Sequence, residues 1–167
     1  MRKGRYYSFS RGELSGADVF TDYLVLPDKE RFELGKKRNI IYVNNGNQGW
    51  ELDQQGIRDQ TPEAIARFQN DAQRDIEVLL RRRRTEPGVQ FYHQGSRLVA
   101  NRRVDLVEMV DAENETYLFY LDAGTHLPSQ LRYRERDTLT GEVIEVVWYY
   151  GNYFDVQGIQ TPRQLTR

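Results

Sequence analysis

The chain has 167 residues, enough for one domain with a sizeable core. Its 24 Lys and Arg nearly balance 25 Asp and Glu for a net charge of −1, which lacks the basic excess of a general nucleic-acid binder. It has no Cys, which removes disulfides and thiolate chemistry, and no apolar run nears the ~18 residues of a membrane-spanning helix.

In chain order, Met1-Arg2-Lys3-Gly4-Arg5 is basic, but no apolar segment with a small-residue cleavage site follows it. It therefore does not read as a signal peptide. The protein is then cytoplasmic, or the start of an exported precursor is missing. Tyr6 to Ser10 reads as a strand. Val19 to Leu26 is a second, ended by Pro27-Asp28, with further short strands at 31–34 and 39–43. Asn44-Asn45-Gly46-Asn47-Gln48-Gly49 supplies residues that tolerate positive φ, a hairpin signal, and 50–52 returns as a strand.

Thr61-Pro62-Glu63 starts a helix. Thr caps free N–H groups, Pro fits the first turn, and Glu complements the positive end of the dipole. Ile65, Phe68, Ala72, Ile76, Leu79 and Leu80 recur at helical spacing as one stripe. Arg67, Asn70, Asp71, Arg74 and Glu77 take the opposite face. Pro87-Gly88 stops the pattern, so the spacing predicts one rod over 62–83 of roughly 33 Å, long enough to cross a sheet. Arg81-Arg82-Arg83-Arg84 reads as a helix C-terminus with a solvated face. Its functional alternative is contact with anionic lipid or an acidic partner.

Beyond the helix, strands are expected near 89–93, 97–100, 102–110, 115–121, 128–137, 141–150 and 156–166. Turns fall at 111–114, 122–125 and 138–141. Such close spacing calls for up-and-down antiparallel neighbours. Arg132, Arg134 and Arg136 share one face of their strand, which must be wet, while Leu131 and Tyr133 share the other. The strands 104–110, 117–121 and 143–150 are apolar on both sides. They are either ordinary central strands of an α+β core or part of a sheet that curves around an apolar space.

Little in the chain points to catalysis. His93 and His126 are the only histidines, and neither has a partner at i+3 or i+4, so zinc is not expected. Asp105 and Glu108 lie three apart on a strand, hence on opposite faces. Asp122 stands where turn carboxylates stand. No phosphate loop and no nucleophile elbow is present. The reading is of a protein that is not an enzyme, with no cofactor, no metal and no catalytic residue.

A resemblance then enters through the order of several motifs. Arg103-Val104-Asp105-Leu106-Val107-Glu108 precedes Tyr120-Leu121-Asp122-Ala123-Gly124-Thr125-His126-Leu127-Pro128-Ser129-Gln130-Leu131. Trp148-Tyr149-Tyr150-Gly151-Asn152-Tyr153 and Val156-Gln157-Gly158-Ile159-Gln160-Thr161-Pro162 follow. Pro27-Asp28-Lys29-Glu30-Arg31 and Asn45-Gly46-Asn47-Gln48-Gly49-Trp50 complete the set. This order resembles the bacterial outer-membrane lipoprotein-sorting proteins of the LolA/LolB-like superfamily. The resemblance implies an α+β fold, a strongly curved antiparallel half-open barrel wrapped around one long amphipathic helix. It also implies a periplasmic location and an apolar concavity that shields acyl chains of lipids or lipoproteins.

On that expectation the cavity is lined by Leu24, Leu26, Ile41, Val43, Val104, Leu106, Tyr117, Phe119, Leu121, Leu131, Tyr133, Ile144, Val146 and Trp148. The lid is the stripe Ile65, Phe68, Ala72, Ile76, Leu79 and Leu80. Family members usually carry a signal peptide, an N-terminal helix and further strands, so the chain reads as a single domain over 1–167 trimmed at both termini. The partner is a lipid or an acylated lipoprotein. The alternative is a non-carrier envelope sensor on the same fold, reading an acidic protein partner through Arg132, Arg134, Arg136 and Arg81–Arg84.

Overall fold

Each strand pairs with its neighbour in sequence, and the succession is interrupted once, by the helical segment. The structure is a computed structural model, and it describes residues 1–137 and 140–167. Thr138 and Leu139, the first half of the turn expected at 138–141, lie outside the described residues. The chain divides into two compact units, residues 1–81 and 82–167.

Unit 1 holds a six-stranded antiparallel meander: β1 Arg2–Ser10, β2 Glu13–Val25, β3 Lys29–Leu34, β4 Ile40–Asn45, β5 Gln48–Asp53 and β6 Gly56–Asp59. β1 and β2 turn through Arg11 and Gly12, both at positive φ (52° and 83°), the geometry that matches strand twist in a two-residue hairpin. The expected Asn-Gly hairpin forms between β4 and β5, with Gly46 at φ 62°. β6 has no counterpart in the sequence reading, because Gly56-Ile57-Arg58-Asp59 is too short and polar to show a period.

The single rod expected over 62–83 is two helices, α1 Pro62–Arg74 and α2 Ile76–Arg81. α1 is then only about 20 Å long. Asp75 makes the break. Its backbone is extended, its N–H donates to the Ala72 carbonyl at 3.3 Å, and its Oδ1 accepts from the Glu77 N–H at 2.7 Å. One aspartate thus ends α1 and caps α2, the competition with backbone bonding that makes Asp a poor helix-interior residue. Thr61 caps α1 as expected, Oγ1 accepting from the Ala64 N–H at 3.2 Å. Thr61→Ala is expected to lower stability by about 1 kcal/mol, read as a shifted urea midpoint.

α1 lies on one face of the unit 1 sheet. Gln69 Nε2 donates to the Gly46 carbonyl at 3.1 Å, and Asp75, just past the helix end, faces Arg2 of β1 at 3.9 Å. Arg2, Phe20, Asp22, Glu30, Phe32 and Asn44 share this face by register. Phe20 and Phe32 stack at 5.5 Å between centroids.

Unit 2 begins with a 3₁₀ turn at Arg83–Thr85 and continues as a second six-stranded meander. Its strands are β7 Gln90–Val99, β8 Arg102–Val110, β9 Thr116–Asp122, β10 Pro128–Arg136, β11 Val143–Val156 and β12 Ile159–Thr166. The strands expected at 89–93 and 97–100 are one strand, β7, with a bulge between His93 and Ser96 and Gly95 at φ 84°. The one strongly curved sheet of the sequence reading is therefore two open sheets with terminal edge strands β1, β6, β7 and β12. Alternation predicts strands, but only hydrogen-bond register says which strand ends a sheet.

Candidate functional site

Register in unit 2 assembles two apolar rows across β8 to β11. Met109 pairs with Tyr117, Tyr117 with Tyr133, and Tyr133 with Val146. The next row runs Val107, Phe119, Leu131 and Trp148. Cross-strand partners point to the same face, so these eight side chains form one continuous apolar surface four strands wide. Met109 and Leu131 are fully buried, and Tyr117, Phe119, Tyr133 and Val146 nearly so. Leu121 and Trp148 are half-buried. Ile144, next to Glu135 at the far end, is exposed.

Polar atoms on this surface are tied down. Trp148 Nε1 donates to the Tyr133 hydroxyl at 3.3 Å, and the Tyr117 and Tyr133 rings meet at 6.0 Å. Arg83 closes one end. Its Nη1 donates to the Tyr117 hydroxyl at 3.0 Å, Nη2 to Asp111 Oδ2 at 2.6 Å, and Nε to Glu86 Oε2 at 3.3 Å. Burial alone would lower the Arg83 pKa, but the bonds to Tyr117 and Asp111 outweigh it and the net direction is upward. The four-arginine run is thus not uniformly solvated: Arg81, Arg82 and Arg84 are exposed, while Arg83 is buried.

Val104 and Leu106 do not join this surface. Leu106 pairs with Tyr120, and Val104 with Asp122, so both face the other side of the sheet. There they form a small cluster with Tyr120, flanked by Val99 and Leu118. Arg132, Arg134 and Arg136 share that side, as expected. Arg132 is less wet than its neighbours: it donates to Gln130 Oε1 at 3.2 and 3.0 Å and lies 4.8 Å over the Tyr120 ring. Beside it is an open depression of about 440 Å³, lined by Thr116, Leu118, Arg132, Arg134 and Glu145 among others.

The expected residues of unit 1 also divide between faces. Leu24 lies on the α1 side of its sheet, Ile41 and Val43 on the other, and Leu26 in the turn after β2; all four are half-buried. Of the expected lid, Ile76 and Leu79 are buried, while Ile65, Phe68, Ala72 and Leu80 are half-buried. Val78, outside the stripe, is buried as well, because the break at Asp75 turns α2 relative to the helical period.

Under α1 lies a polar group that alternation could not show. Asp22 and Asn44 are buried, and the Oδ1 atoms of both have no hydrogen-bond partner among the described residues. Asn44 Nδ2 donates to Glu30 Oε2 at 3.4 Å. Burial and then the Asp22 charge push the Glu30 carboxyl up to about 7. Asp122, by contrast, is a turn carboxylate held below its usual range by the Thr125 and Gly124 N–H groups. Asp105 and Glu108 face opposite sides of β8. His93 is exposed on β7, and His126 is exposed in a turn at φ 59°. Among the described residues no three His, Cys, Asp or Glu side chains are grouped to hold a metal ion, and no helix is long and apolar enough to cross a membrane.

No protein-family profile and no curated protein matches the chain by sequence. Solved structures do match it. A domain assigned to outer-membrane lipoprotein sorting, from Vibrio parahaemolyticus, superimposes with a TM-score of 0.53 at 10% identity over 98% of this chain and 74% of that one. A LolA-superfamily protein from Nitrosomonas europaea gives 0.55 at 7%, with the same coverages. The chain has a LolA-like fold. A DUF1329-family protein from Desulfovibrio piger shares it, at 0.55 and 12% identity over 98% and 74%. At such identities the LolA-like likeness establishes architecture, and function has to be argued from the side chains.

Proposed function

We propose that this chain is a periplasmic binding protein that shields acyl chains of lipids or lipoproteins on the apolar rows of β8 to β11, as a carrier in envelope lipoprotein sorting. The supporting observation is the register itself. It places Val107, Met109, Tyr117, Phe119, Leu131, Tyr133, Val146 and Trp148 on one face with no charge among them. A surface of that kind favours acyl chains at roughly 0.8 kcal/mol per buried methylene. Most of these side chains are covered in this structure. An acyl chain therefore enters by displacing what covers them, which suits a carrier that must also release its cargo. The LolA-like fold supports the same reading.

The chain's two tryptophans allow a direct test, since Trp50 lies in β5 and Trp148 in the second apolar row. In a Trp50→Phe variant, brominated fatty acids are expected to quench Trp148 strongly and saturably. Folded, delipidated protein whose Trp148 emission ignores brominated acyl chains would end this reading. The sensor alternative rests on exposed Arg134 and Arg136. It expects acidic peptides to bind instead, leaving Trp148 unquenched.

A further inference from the structure

The β1–β2 hairpin runs past the rest of its sheet. β3 pairs with β2 only from Phe20 to Val25, so residues 6–10 and 13–18 form a two-stranded ribbon with no third strand. At about 3.4 Å per residue it extends roughly 17 Å. Two-stranded ribbons are marginal in water, and their exposed side chains serve something other than a core. Tyr7 pairs with Ala17 and Phe9 with Leu14, which puts Tyr7, Phe9 and Leu14 on one ribbon face. They are 48%, 66% and 58% exposed. Residues 2–18 carry four cations, Arg2, Lys3, Arg5 and Arg11, against two carboxylates, Glu13 and Asp18, in a chain whose net charge is −1. Lys3, Arg5 and Arg11 make no ion pair or side-chain hydrogen bond among the described residues.

We propose that this ribbon docks on an anionic phospholipid surface, with Phe9 and Leu14 entering the interface and Arg5 and Arg11 meeting lipid phosphates. The chemistry matches on both counts. Aromatic side chains with one polar end favour the level of the headgroups, and apolar tips sink just below it. Unpaired basic groups beside them are drawn to anionic lipid over a Debye length. A second copy of the chain is the weaker occupant, since two such ribbons present like charge to each other. The proposal does not depend on acyl binding by unit 2, and the two can fail separately.

The test is cosedimentation of the full chain with vesicles of equal parts phosphatidylglycerol and phosphatidylcholine, and with phosphatidylcholine alone. The chain is expected to pellet with the anionic vesicles and to bind neutral ones roughly tenfold more weakly. Salt of about 1 M, where the Debye length is about 3 Å, is expected to release it. Phe9→Ser with Leu14→Ser, and separately Arg5→Gln with Arg11→Gln, should each weaken binding roughly tenfold. Because these side chains are exposed, thermal midpoints and the Trp148 quenching should not change. Three results would overturn the proposal. The first is wild-type chain that ignores anionic vesicles. The second is a serine pair that binds vesicles as the wild type does. The third is a dimer at sedimentation equilibrium that the serine pair dissolves, which makes the occupant a second copy.

Discussion

Replacing Arg83 by Met is expected to destabilise unit 2 by about 3–5 kcal/mol, measured by urea unfolding. The guanidinium is buried and bonds Asp111, whose side chain is only 2% exposed. Methionine fills much the same volume, so the loss is chiefly electrostatic: it leaves a carboxylate out of water with its cation gone. Asp111 keeps the N–H groups of Glu113 and Glu115 on Oδ1, but Oδ2 loses its 2.6 Å partner. The Tyr117 hydroxyl loses a donor at the same time. Adding Asp111→Asn should recover part of the loss, because asparagine keeps an oxygen for the two N–H groups and removes the stranded charge. If Arg83→Met lowers stability by less than about 1 kcal/mol, the cluster behaves as a surface ion pair and does not hold the sheet end.

Most strands were legible because alternation and turn residues are local signals. The run from Val104 to Tyr150 shows this, with turns at Asp111–Asn114 and at Asp122–Thr125 where the structure has them. The partition into two sheets was not legible, since nothing in Asp59 or Gln90 announces an edge strand. The helix misled for a definite reason. Apolar spacing continues through Asp75, but the Asp75 carboxylate competes for the Glu77 N–H and ends α1. In the candidate site, Tyr117, Phe119, Leu131, Tyr133, Val146 and Trp148 are brought together, while Val104 and Leu106 face away. All eight alternate correctly within their own strands. Which alternation on β8 matches which on β9 depends on a register that a one-residue slip would reverse. Met109 and Val107 were missed through that same ambiguity. Arg83 was missed because four identical neighbours carry no sign of which one turns inward.

Replacing Glu30 by Gln is the second large effect, and its sign depends on pH. Glu30 sits on β3 under α1, facing Asp22 of β2, Asn44 of β4, Arg2 of β1 and Asp75 at the helix break. Burial raises its carboxyl first and the Asp22 charge second. The Asn44 amide and Arg2 pull the other way and lose, leaving it at about 7 against an ordinary 4.5. Asp22 is raised too, mainly by burial, so neither acid relieves the other. Between about 4.5 and 7 the folded chain keeps a proton that the unfolded chain has released. This contribution is therefore complete below pH 4.5, falls as pH rises, and is gone above about 7. At about 1.4 kcal/mol per pKa unit it is worth about 3 kcal/mol. Glutamine stays neutral throughout and keeps an acceptor for the Asn44 amide. Glu30→Gln should thus match the wild type near pH 4.5 and exceed its stability by about 2–3 kcal/mol at pH 8. Urea midpoints of both chains at the two pH values decide the matter. An equal difference at both would mean that Glu30 ionises freely, with water reaching the space beneath α1.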